Sequence, residues 1–287
     1  MPVGLNKDKK AKGAKGAKGA KGTKGSQMRI VWVFKGPINI REVGMIEIFI
    51  IFTVLFFIAV LFYKQANEQF EILQIHSERI NELPTLYIDR SPIVISDYQP
   101  PSLGSEQELQ KRPNILQMAI APNLSLKQLL ASPQNLETFP FTLKTAAFLA
   151  KESGLTIWFE HHLYEQLLPS PYTKFLYSFK TSLWPNHRGL FKTTAFQTLI
   201  MPTQGTASVS LMLSKVVPYL PNRWQERSFH TLTSQDTPLL NQIKFMEITL
   251  RKGNILLLPA HLIVDIRSID SAWCFIGEIH HPISLLA

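Results

Sequence analysis

The sequence predicts one membrane-spanning helix followed by a mainly-β (α+β) domain with helical elements on its N-terminal side. Three observations predict this. Met45–Tyr63 reads MIEIFIIFTVLFFIAVLFY, apolar on every side, with Glu47 as its one charge and no Pro or Gly. Everything before it is short and Lys-rich. From Phe175 onward, short runs of β-forming residues alternate with turns, with no long helical pattern between them.

At ~1.5 Å rise per residue, a helix over 44–63 reaches most of the way across a ~30 Å hydrocarbon layer. Thr53 is its one polar break, and a Thr hydroxyl bonds back within its own helix. A cleaved signal has a shorter apolar core and begins nearer the N-terminus, so an uncleaved signal-anchor fits better. Lys7, Lys9, Lys10, Lys12, Lys15, Lys18, Lys21, Lys24, Arg29, Lys35 and Arg41 precede the span, whereas Lys64 stands alone after it until Arg79. That asymmetry predicts a type II, single-pass protein. Its N-terminus is expected in the cytosol and its C-terminal bulk lumenal or outside, at an endomembrane or a virion membrane.

The expected segments are a disordered Lys/Gly-rich tail (1–27), a juxtamembrane segment (28–43), the span (44–63), a stalk helix (64–83) and a β-rich domain (84–287). The net charge of +9 belongs to the tail, because the chain beyond the span nearly balances. Five Lys-Gly steps, at Lys12, Lys15, Lys18, Lys21 and Lys24, make a comb of cations suited to anionic lipid or nucleic acid. In 64–83, Ala66, Phe70, Leu73, Ser77 and Ile80 step by 4, 3, 4, 3, a short a/d seam that fits a homodimer stalk or a helix packed on its own domain. Residues 84–101 read as a strand pair. Thr142–Ser153 and Glu160–Leu168 read as helices. Cys274, the one cysteine, excludes an intrachain disulfide and a Cys-based zinc site.

Two spacings stand out among the strands. Gly205 is followed after five residues by Leu211 and then Leu213, and Gly253 is followed after five residues by Pro259. With Trp184 upstream and an apolar strand at 272–279, this resembles the jelly-roll, or double-stranded β-helix, of the cupin and Jumonji-like superfamily, over roughly residues 173–281. The resemblance implies metal ligands on one strand two residues apart and a third on a facing strand. Carried over, those positions are Leu211, Leu213 and Val264. All three are aliphatic, so the resemblance is to a degenerate member that holds no cofactor.

An alternative ligand set, His261, Asp265 and His280, would retain Fe(II) and 2-oxoglutarate oxygenase chemistry with displaced ligands. Arg223, Trp224, Arg227 and His230 form a basic-aromatic contact patch, and Asn123 heads one N-glycosylation sequon. No Gly-rich phosphate loop, GxSxG, HExxH or paired-carboxylate motif occurs. The function expected is a non-enzymatic, membrane-anchored structural or interaction protein with an unknown protein partner. The alternatives are the oxygenase and a tether acting through the Lys-rich tail.

Overall fold

A computed structural model describes residues 44–64, 71–121, 124–131, 139 and 141–286. The chain divides into two compact units, 1–48 and 49–287. The tail lysines Lys12, Lys15, Lys18, Lys21 and Lys24, the juxtamembrane segment 28–43 and Asn123 lie outside the described residues.

Helix α1, Met45–Lys64, forms where the apolar run predicts a helix. The membrane span is nevertheless overturned: among the described residues no helix is long and apolar enough to cross a membrane. Glu47 occupies the first turn. The transmembrane, signal-anchor and type II expectations, and the single-pass placement in an endomembrane or virion membrane, fall with the span. At its C-terminal end, Arg90 donates from Nη1 to the Phe62 carbonyl at 3.2 Å and stacks 5.2 Å from the Phe62 ring. A cation there satisfies a carbonyl that the helix itself leaves unpaired.

The stalk helix is also corrected. Residues 73–76 form strand β1 (Leu73–His76), followed by 3-10 turns over Ser77–Glu82. Leu73 and Ile75 alternate with polar residues, and β1 finds a parallel partner in β2 (Ile93–Ser96). Ile75, Ile80 and Leu83 are buried in the domain core, so they are unavailable to a partner helix. The strand pair expected over 84–101 is only β2, since helical turns run from Leu83 to Asp89. Helix α2, Leu143–Glu152, starts as expected, with the Thr142 hydroxyl capping the Thr145 amide. The second helical stretch begins earlier than expected, at Leu155, and continues to Leu167 through a π-helical turn at Glu160–Tyr164.

The domain is mainly β. A small hairpin of β3 (Ala119–Ala121) and β4 (Leu124–Ser125) stands apart. Among the described residues the remaining strands make one eight-stranded sheet. Two long strands are its spine: β7 (Gln197–Leu213) and β10 (Leu262–His280), antiparallel along nearly their whole length. Their first and second halves take different neighbours. The N-terminal half of β7 pairs with β9 (Ile255–Pro259), and the C-terminal half of β10 pairs with β5 (Ser178–Pro185). The other halves pair with β8 (Met246–Arg251) and β6 (His187–Lys192). The β7–β10 register slips between Ser268 and Cys274, opposite Gly205. An extra length of strand on one side bends a ladder and increases its twist, so the sheet turns over on itself there.

Apolar side chains sort into three clusters around this folded ladder. Between the two halves lie Trp184, Phe191, Ile200, Val209, Leu211, Leu256, Val264, Cys274 and Ile276, among others. Burial pushes the Cys274 thiol up to about 12, as expected for a small buried residue. The outer face of one half packs on α2 and residues 155–168, through Leu199, Phe275 and Phe159. The outer face of the other half is covered by the segment 214–245, through Met212, Ile263, Phe229 and Ile243.

Gly205 carries the bend. Its φ is +70°, and a methyl group there would run into the Asp270 carbonyl oxygen and come within 2.9 Å of the Ala272 Cα. Both strands would have to move to admit it. Gly205→Ala is expected to lose about 2 kcal/mol or more of stability, the sum of left-handed strain and a backbone clash. Urea denaturation of variant and parent measures it, and a loss below ~0.5 kcal/mol would remove Gly205 from this role.

Candidate functional site

Leu211 on β7 stands directly opposite Val264 on β10, and both are fully buried between the sheet halves. Leu213 is opposite Leu262 and packs against the same cluster while partly exposed. The three positions therefore converge, but on neighbouring strands of one ladder rather than on facing strands. No lone pair is offered there. The three side chains are aliphatic, and the residues present do not fit a metal ion.

The displaced set does not converge. His261 sits in the turn before β10 with φ +71° and donates its backbone N–H to the Thr193 carbonyl at 2.7 Å. Asp265 follows Val264 by one residue and so points to the opposite face of the sheet, under Ser228 and Phe229. His280 lies at the far end of β10, its Nε2 3.6 Å from the Glu278 carboxylate. Among the described residues no group of three or more His, Cys, Asp or Glu is placed to hold a metal.

Asp265 is a buried carboxyl whose oxygens meet no hydrogen-bond partner of good geometry. Burial pushes it up to about 7, with the Phe229 amide, the Ser228 hydroxyl and Arg267 opposing. Beside it, Ser210 lies opposite Asp265 in the ladder and its hydroxyl is 3.3 Å from His230 Nε2. Burial and the Arg267 charge lower the His230 imidazole. These groups sit where the covering segment meets the sheet.

The basic-aromatic patch is largely committed to internal contacts. Arg227 donates to Asp236 at 2.6 Å, and this bond holds the Asp236 carboxyl down at about 2. Trp224 packs against the outer apolar cluster. Arg223 takes a left-handed φ of +61°. The loop is pinned to the edge of β6: Leu190 donates to the Arg227 carbonyl and Glu226 donates to the Leu190 carbonyl, both at 2.8 Å.

That pinning builds a pocket of about 360 Å³, within the range of small-ligand sites. Phe141 and Leu143 close one side, Gln225 and Glu226 another, and Trp184, Arg188 and Phe191 reach in from the β5–β6 hairpin. Arg188 lies opposite Ile266 and Phe191 opposite Val264, so both turn toward the space between the sheet halves. Burial lowers the Arg188 guanidinium to about 10, with Glu278 and Glu226 opposing, and it stays charged at neutral pH. Burial pushes the Glu278 carboxyl up, but His280, Arg188 and Lys180 outweigh this and hold it below the ordinary carboxylate range. The sequence marked Trp184 but not Arg188. Alternation from the outward-facing Leu190 would turn Arg188 outward too, and only the register shift of β6 against β10 brings it inward.

No family model and no curated protein matches the chain. Among solved structures, the crystal structure of hydroquinone 1,2-dioxygenase from Sphingomonas sp. TTNP3 with 4-hydroxybenzoate bound is similar at a TM-score of 0.26 and 18% identity. The match covers 38% of this chain and 62% of that one, less than two thirds of its length. A TM-score of 0.26 is too low to carry fold or function from that enzyme to this chain.

Asp265 generates a pH prediction. The native state keeps its proton up to about pH 7, whereas an unfolded aspartate releases it near pH ~4. Between those values the native state binds more protons, so stability falls as pH rises through the window. Asp265→Asn should abolish that slope and be more stable than the parent at pH 8, by roughly 2–4 kcal/mol. Urea midpoints of both proteins across pH 4–8 check this. Parallel curves would contradict it.

Proposed function

We propose that this chain is a non-enzymatic interaction protein whose β-domain is a degenerate relative of the cupin and Jumonji-like superfamily. One observation carries the reading: at the place that the spacing assigns to a metal, Leu211 and Val264 face each other across a ladder pair, fully buried. Such an interior stabilises the fold instead of holding an ion. Each buried aliphatic side chain contributes about 1.5–3 kcal/mol. Neither Fe(II) nor 2-oxoglutarate chemistry is assigned to it, and no step is derived through them. The domain then acts through its surfaces and loops.

Metal content tests the proposal. The full chain, incubated anaerobically with Fe(II) and 2-oxoglutarate and then desalted, is expected to retain far less than one iron per chain. Stoichiometric iron that is lost on His261→Ala or Asp265→Ala would establish the displaced-ligand oxygenase instead. A stability measurement accompanies it. Leu211→Ala should lose about 2–5 kcal/mol, as for a close-packed core leucine. A loss under ~1 kcal/mol would indicate open space where the proposal places packed core.

A further inference from the structure

We propose that the pocket bounded by Phe141, Trp184, Arg188, Phe191 and Glu226 binds a small carboxylate with an apolar body. This goes beyond the reading above and does not depend on it, since Leu211 and Val264 are not among the residues that line the pocket and no metal is required. The argument starts from Arg188. Its guanidinium carbon lies 3.6 Å from the centroid of the Phe191 ring and 5.0 Å from that of Trp184. Stacking of this kind stabilises a desolvated cation through its planar face. It leaves the N–H donors, which lie in the plane of the group, unused.

Those donors are unmatched. Nη1 is buried and meets no hydrogen-bond partner among the described residues. Nη2 approaches the Glu278 carboxylate only to 4.0 Å, beyond hydrogen-bond range. Glu278 is itself in contact with His280, at 3.6 Å. A buried guanidinium with unused donors is costly to a fold; Nη1 has no surface open to the pocket, so the carboxylate is met through the remaining donors, Nη2 foremost, in a charge-assisted hydrogen bond. The surroundings set the rest of the ligand. Phe141, Leu143, Trp184 and Phe191 provide apolar wall, and Lys192 adds a second positive charge that offsets the Glu226 carboxylate in the same lining. The wall is rigid. Gly189 has no room for a Cβ against the Glu226 and Arg227 backbone, and the hydrogen bonds of Leu190 and Glu226 fix the loop to β6. A fixed site loses little entropy on binding.

Calorimetric titration of the full chain, in the presence of a chelator, with 3-phenylpropanoate, 3-phenylpropanamide and inorganic phosphate tests this. The acid is expected to bind, and the amide to bind about tenfold more weakly or worse, the ratio set by a charge-assisted hydrogen bond. Phosphate, lacking the apolar body, should bind more weakly than the acid. Arg188→Met should remove the preference for acid over amide without lowering the melting temperature, because it replaces an unpaired buried cation by an apolar chain. Leu143→Trp, at a residue 53% exposed, should block the pocket mouth and weaken the acid while leaving Arg188 in place. Equal binding of acid and amide, no binding of the acid at millimolar concentration, or unchanged acid affinity in either variant would overturn the proposal. Loss of fold in Arg188→Met would leave the comparison on the parent chain and the Leu143→Trp result to decide.

Discussion

The structure depends on the pairing of β7 with β10. These strands run antiparallel from Gln197–Ile279 at one end to Leu213–Leu262 at the other, and every other strand of the main sheet except β1 and β2 pairs with one of them. Because they bend together at Gly205, one ladder supplies both walls of the interior. The inward side chains of its first half, such as Ile200 and Ile276, belong to the same cluster as Val209 and Val264 of its second. Alternation along a strand then decides everything locally. Leu211 turns in, and Met212 turns out beneath the covering segment.

The same alternation places the polar groups. Asp265 is carried outward by its position next to Val264, and is buried only because the segment 214–245 closes over that face. Arg188 departs from that alternation: a register shift sets it opposite Ile266 and turns it inward, although Leu190, two residues on, faces out. Neither has the hydrogen bonds that a buried charge ordinarily has, and the two tolerate burial differently. A carboxyl escapes by keeping its proton, whereas a guanidinium cannot and leans instead on the rings of Phe191 and Trp184. Stability and ligand capacity thus meet at β6, a strand whose free edge is sealed by the Glu226–Arg227 backbone.

Much of the β-domain was legible in the sequence. Most of the β-forming runs between Phe191 and Ile279 fall in β6–β10, although 193–196 and 243–245 lie outside the strands, because Val, Ile, Leu and Thr between turn residues have few other uses. Their continuity was not legible. Gly205 and the Asp270–Ser271 pair look like turns that end strands, so β7 and β10 each read as two short runs. In the fold they are bends within β7 and β10. The N-terminal region was misread for a related reason. Leu73 and Ile80 fit a heptad step, but β2 supplies a strand partner that no local pattern reveals. The length of the apolar run at α1 predicted a membrane span that the described helix does not meet. The pocket was invisible because its residues come from three places in the chain, 141–143, 184–194 and 225–226, and meet only through register and loop closure.

The central claim is that the interior at Leu211 and Val264 is closed, close-packed core rather than an emptied ligand site. Native-state hydrogen exchange tests it most directly. The amides of Val209, Leu211, Val264 and Ile266 are predicted to be among the slowest in the chain, exchanging only through global unfolding, with a denaturant dependence equal to that of unfolding itself. Exchange at those amides through local openings, with little denaturant dependence, would contradict the account.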